Sequence, residues 1–93
     1  MAGILYFYDR ENFDDNSPLQ ITHDEPDLSK IRHGLGNWND EMESFKVISG
    51  QWMFYEHINF RGPVGPFGPG TEGNAERHGI PKKWVSSVKK IGD

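Results

Sequence analysis

Eleven residues, Trp52 to Gly62, constrain the fold of this chain more than any other stretch. Trp52, Phe54 and Glu56 alternate with Met53 and Tyr55, a period of two that predicts a strand rich in aromatic side chains. Four mostly polar residues follow, Glu56, His57, Ile58 and Asn59, and then Phe60, the spacer Arg61 and Gly62. An aromatic ring five residues after another, across a short polar bend, can fold back onto the first and hold the tip of a hairpin. Gly62 then supplies the positive φ that so tight a return needs, at no steric cost.

The pattern has an earlier partial copy. Tyr8 to Phe13 repeats the ring spacing, and Asp15 stands where the glycine is expected. Both copies follow a strand-like run, Ile4 to Tyr8 and Gln51 to Tyr55, and Tyr8 lies 47 residues before Tyr55. A repeat of that size means two supersecondary units that share one core. Each hairpin also has a loop about thirty residues behind it. The first loop is Asn39, Asp40, Glu41, Met42, Glu43, Ser44, leading into Phe45 to Ile48; the second is Lys82, Lys83, Trp84, Val85, Ser86, Ser87, leading into Val88 to Ile91.

Two hairpins and two such loops, alternating along nearly the whole chain, resemble the paired motifs of the βγ-crystallin family, in its single-domain microbial form. The hairpin signature there is aromatic, four residues, aromatic, one residue, glycine; the loop signature is two Asn or Asp, two variable residues, Ser or Thr, and Ser. The resemblance implies an all-β fold of two Greek-key motifs in a β-sandwich, the first key over about residues 3–49 and the second over about 50–92 of a single domain. It also implies calcium. In the family each of two ions is clamped between the motifs, by an Asn/Asp oxygen of one loop, a Ser/Thr hydroxyl of the other and a backbone carbonyl from the residue after a hairpin's first aromatic. Carried over by position, the metal residues are Asn39, Asp40 and Ser44 in the first loop, Ser86 in the second, and Asp9 and Glu56 in the hairpins. Asp15, Glu43, Lys82 and Lys83 depart from the pattern. If the loops cross, Asn39 and Asp40 belong with Ser86, and Glu43 meets Lys82 or Lys83 where a second ion would sit; if each ion drew its ligands from one loop, both sites would be damaged.

Read for its residues alone, the first loop concentrates hard oxygen ligands in six positions, which suits a cation that takes six to eight oxygens. The blander reading is a capping turn. It is not an EF-hand, since neither the glycine nor the terminal glutamate of that loop is in place.

Composition limits the alternatives. Only 34% of the 93 residues are apolar, so three Trp, three Tyr and six Phe must supply much of the burial. With no cysteine, stability beyond packing has to come from something other than a disulfide, a bound ion for example. The net charge of -4 is uneven: residues 1–46 carry ten acids and four bases, residues 47–93 four acids and six bases. Lys82, Lys83, Lys89 and Lys90 form the one basic cluster, which reads as a solvated strand end and not as a nucleic-acid surface. No nucleophile elbow, phosphate loop or zinc-spaced histidine pair occurs, and His23, His33, His57 and His78 are scattered, so no enzyme is expected. No stretch reaches the roughly 20 apolar residues of a membrane helix, and Met1 to Tyr8 lacks the features of a signal peptide. The expectation is a cytoplasmic monomer with no membrane or nucleic-acid partner, or a module of a longer secreted chain.

Along the chain, Leu5 and Phe7 are expected on the buried face of the first strand, and Asp14, Asp15, Asn16, Ser17 and Pro18 in a turn with Asp15 in the left-handed region. Leu19 to Ile21 makes the next strand. His23 to Trp38 reads as loop with one helical turn capped by Asp27, from which Leu28, Ile31, Leu35 and Trp38 drop onto the core. Ser44 to Ser49 is the returning strand. Prolines and glycines after Gly62 predict a short or edge strand. Residues 73–79 read as loop, and Ile80, Trp84, Val85, Val88 and Ile91 complete the core. Three uses of such a fold are open: a calcium-binding module, an ion-independent structural or interaction domain, and an inhibitor or lectin-like binder, which fold alone does not separate.

Overall fold

The computed structural model describes residues 3–15 and 17–93, and Asn16 of the predicted turn lies outside them. The elements are β1 (Ile4–Tyr8), β2 (Leu19–Ile21), β3 (Arg32–His33), β4 (Gly36–Asn37), β5 (Ser44–Ser49), β6 (Gln51–His57), β7 (Arg61–Phe67), β8 (Glu72–Asn74) and β9 (Ser87–Gly92). Single 3-10 turns occupy Glu11–Phe13, Leu28–Lys30 and Ala75–His78, and no α-helix occurs among the described residues. One sheet runs β2-β1-β5-β8 and the other β7-β6-β9; β3 and β4 form a small separate hairpin.

Alternation builds the strands that the sequence predicts. In β1, Leu5 and Phe7 are fully buried while their neighbours are half-exposed. In β5, Phe45 and Val47 face inward, as do Trp52 and Phe54 in β6. The two sheets meet through rings: Phe54 lies edge-on to Phe7 at 5.2 Å and to Phe45 at 5.0 Å, with Phe67 at 4.9 Å. Each such pair adds about 0.5–1.5 kcal/mol beyond area burial. Trp38, Ile80, Val85 and Val88 join the same core, together with Met42 and Ala75, which the sequence did not mark.

The halves are interlocked. β8, from the second half, closes the first sheet by pairing with β5, Phe45 opposite Gly73. In return Glu25, from the first half, exchanges both backbone hydrogen bonds with Val88 of β9, at 2.9 and 3.0 Å. Leu28 N–H donates to the Ser86 carbonyl, and Ala75 N–H to that of Glu43, each at 2.9 Å, so the exchange has the same form in both directions.

Several expectations need correction. Residues 72–74 are a strand and not loop, because the edge of β5 offers unpaired groups that β8 satisfies. β7, expected to be short or at an edge, is a seven-residue strand at a sheet edge, where its prolines are tolerated because one flank has no ladder to complete. Leu35, at the tip of the β3–β4 hairpin, is fully exposed instead of plugging the core, and Ile91 is 48% exposed near the end of β9. Ile31 and Trp84 pack against the core from partly buried positions. Asp27 does cap its 3-10 turn, accepting from Ser29 N–H at 2.9 Å.

Candidate metal centre

Both hairpins close by the same local chemistry. Tyr55 and Phe60 meet edge to face at 5.5 Å, and Tyr8 and Phe13 at 5.2 Å. The backbone turns through left-handed pairs, Asn59 and Phe60 in one hairpin, Asn12 and Phe13 in the other. A lysine stands over the second ring of each: Lys89 over Phe60 at 5.1 Å and Lys46 over Phe13 at 4.3 Å. The return differs. Gly62 has φ +75°, whereas Asp15 is not left-handed; its carboxylate accepts from Asp9 N–H at 3.1 Å and Ser17 N–H at 2.8 Å and holds the bend from the side. That replaces the left-handed Asp15 expected from the sequence.

One serine of each loop locks a hairpin. Ser87 Oγ donates to the His57 carbonyl at 2.7 Å and accepts from Phe60 N–H at 3.1 Å. Ser44 does the same, to Arg10 at 2.6 Å and from Phe13 at 3.1 Å, and is fully buried. The hydroxyl of Ser44 is thus engaged by the backbone of the first hairpin, as that of Ser87 is by the second.

The loops cross. Asp40 N–H donates to the Val85 carbonyl at 3.0 Å and Lys83 N–H to the Met42 carbonyl at 3.2 Å; both donors are left-handed, φ +57° and +55°. The crossing sets Asp40 beside Ser86, whose Oγ donates to Asp40 Oδ1 at 3.0 Å. At the equivalent place across the pseudo-twofold, Lys83 Nζ meets Glu43 at 3.2 Å and Glu41 at 3.3 Å. Burial pulls the Lys83 ammonium toward neutrality, but Glu43 and Glu41 outweigh it and hold its pKa above the ordinary lysine value. Lys82 turns away to Glu11 at 3.0 Å and Glu76 at 3.6 Å, and the bond to Glu11 raises its pKa. The contact facing Glu43 therefore comes from Lys83 and not from Lys82.

An open cleft is lined by Asn39, Asp40, Glu56 and Ser86, with Arg61 and Lys83 also on its wall, the Lys83 ammonium being turned to Glu41 and Glu43. Asn39 Oδ1 is buried without a hydrogen-bond partner, while the amide nitrogen of Asn39 donates to Asp40 Oδ2 at 3.4 Å. Burying an unpaired amide oxygen costs about 1–3 kcal/mol, and the amide oxygen, carboxylate and hydroxyl of Asn39, Asp40 and Ser86 are the ligand types a hard cation takes. The residues present on this side fit calcium; the Lys83–Glu43 side, with an ammonium in the equivalent place, does not. Glu43 N–H donates to the Tyr8 carbonyl and Ser86 N–H to the Tyr55 carbonyl, each at 2.9 Å, which sets the backbone of Asp9 beside the Glu43 crossing as it sets that of Glu56 beside Ser86; the Asp9 carboxylate itself lies 2.6 Å from His33 Nε2.

Comparison with known proteins agrees with this architecture. The family model for beta/gamma crystallin matches residues 4–91. A βγ-crystallin from an archaeon is 35% identical, with 98% of this chain and all of the other covered and a TM-score of 0.79. A βγ-crystallin from Ciona intestinalis is 28% identical, with 96% of this chain and all of the other covered and a TM-score of 0.83. Gamma-crystallin M1 of Cyprinus carpio is 28% identical over 89 residues, 96% of this chain and 47% of that protein, so the chain spans about half the length of that relative. Two ring-closed hairpins, two serine locks and crossed loops, together with a family match from the first strand to the last, place the chain in the beta/gamma crystallin family.

Proposed function

We propose that this protein is a calcium-binding βγ-crystallin module with one competent site, formed by Asn39, Asp40 and Ser86 with the Glu56 segment of the hairpin. The observation that carries the reading is the buried, unpartnered Oδ1 of Asn39, a residue that lines one cleft with Asp40 and Ser86. Calcium bound there would supply positive charge shared by two crossed loops, tying the halves together. Asp40 contributes the formal negative charge, Asn39 and Ser86 neutral oxygens, so binding is weak to moderate. The equivalent position is occupied by the Lys83 ammonium and the carboxylates of Glu43 and Glu41, which bridge the same loops without a metal.

Calorimetry on the whole chain tests this. One calcium per chain is expected, with binding abolished by Asp40→Ala and barely altered by Glu43→Ala; two equivalent ions, or none at millimolar calcium, would overturn it. A melting temperature raised by calcium and lowered again by chelator is the accompanying linkage. The ion-independent structural domain is the second reading, favoured by the Lys83–Glu43 bridge, and it predicts a melting temperature indifferent to calcium.

A further inference from the structure

Two features have no part in the calcium site. One is Asp15, standing where the second hairpin has Gly62; the other is His33, at the end of β3. The fold brings them together with Asp9. His33 Nε2 lies 2.6 Å from Asp9 Oδ2, and Asp15 Oδ2 accepts from the Asp9 N–H at 3.1 Å. One ligand atom from each residue falls within 4.8 Å of the other two, and all three side chains are half-buried. They line an open cleft of their own, on the first hairpin.

From this convergence we propose a second, chemically different metal site: Asp9, Asp15 and His33 bind one borderline divalent transition ion, for which Zn2+ is the probe. Zinc takes imidazole nitrogen and carboxylate oxygen at about 2.0–2.2 Å, which places neighbouring ligand atoms about 3.3 Å apart in a tetrahedral shell. Bringing the three atoms to those distances takes shifts on the order of an ångström, within reach of side-chain rotation. The separation of Asp9 from His33 widens as the ion replaces their hydrogen bond.

The ligands are held by the protein before any ion arrives. The His33 ring lies on Trp38, centroids 4.1 Å apart and planes inclined by 33°, and Trp38 is itself in the core. Asp15 is anchored by two backbone N–H groups. Partners of this kind orient first ligands and limit the entropy lost on binding. Two carboxylates supply the charge to neutralise a divalent cation, and the cleft leaves a fourth position for water. Imidazole in the set distinguishes this site from the all-oxygen calcium cleft, since calcium prefers oxygen and zinc accepts nitrogen. The second hairpin cannot duplicate it, because Gly62 offers no side chain in the place of Asp15.

Isothermal titration of the whole chain with Zn2+, with and without saturating calcium, reads the site directly. One zinc per chain is expected in both conditions, with affinity reduced at least tenfold in His33→Gln and in Asp15→Asn. Should Asp15→Asn loosen the hairpin, Co2+ bound to the unaltered protein is a second measure: its visible absorption should show nitrogen and oxygen ligation and disappear on zinc addition. Histidine NMR shifts should move at His33 and not at His23, His57 or His78. The absence of zinc binding at 100 µM, binding unaffected by His33→Gln, or shifts at the other histidines would each overturn the proposal. Loss of calcium binding with zinc binding intact would leave it standing, so the two sites fail separately.

Discussion

Gly62 and Asp15 occupy the same place in two copies of one hairpin and solve the return differently. At Gly62 the backbone is left-handed, and an added Cβ would sit 3.1 Å from Cβ of Glu56. Gly62→Val therefore adds a contact tighter than normal to a conformation that β-branched residues resist, and should destabilise the protein by at least about 1 kcal/mol in urea unfolding. An unchanged midpoint would contradict it. Asp15→Gly should bring no compensating gain, because that backbone is not left-handed and the substitution removes two acceptors. Ser44 and Ser87 carry the matching prediction for the locks. Each hydroxyl serves a backbone carbonyl and an N–H at once, and Ser44 is itself fully buried, so Ser44→Ala leaves two backbone groups unpaired and should cost about 1–3 kcal/mol by the same measurement. A cost near zero would mean that water replaces the lock.

Between elements, the crossed loops make a comparison within one molecule. Asp40 with Ser86 and Lys83 with Glu43 are the same pair of positions carrying different chemistry. Replacing Lys82 by Asn, Lys83 by Asp and Glu43 by Ser together gives the second crossing the ligand types of the first, and calorimetry should then read two calcium ions per chain in place of one. Lys83 also predicts a dependence on pH. Its folded pKa lies above the ordinary 10.5, so its stabilising contribution is complete below that value and is lost as pH rises through the folded pKa. The lysine is 52% exposed, which limits the effect to about 1 kcal/mol or less. Thermal melts of the natural protein and of Lys83→Met should therefore converge above about pH 10.5; a constant gap would remove the ion pair from the account.

For the molecule as a whole, Phe54 is the point where both sheets touch, edge-on to Phe7 and Phe45 and beside Phe67. Phe54→Ala should cost about 3–5 kcal/mol, a large part of the roughly 5–15 kcal/mol that holds a small domain together. The loss should appear in one unfolding transition followed identically by fluorescence and circular dichroism. The reason is the exchange: β8 completes the first sheet and Glu25 the second, so neither half keeps its edge when the other unfolds. Two separated transitions would show that the halves unfold independently.

What the sequence determined by itself is what short-range chemistry carries. The ring pairs five residues apart, the left-handed Gly62, the extents of β1 and β5 and the complementary signs of Glu43 and Lys83 are all written within a few residues or in a repeat, and repeats are visible without coordinates. Only the tertiary structure decided the rest. Nothing near residues 72–74 announces a strand; the edge of β5 makes them one. Leu35 has the composition of a core plug and is exposed, because the β3–β4 turn carries it away from the sandwich. Ser44 matches a ligand position by spacing, yet its hydroxyl lies nearest the backbone of the first hairpin. Asp9 and His33 are 24 residues apart and share no local pattern, and folding sets them in contact. Windows of sequence encode which face of an element is apolar, whereas the meeting of distant side chains depends on how sheets pair at their edges, which no window contains.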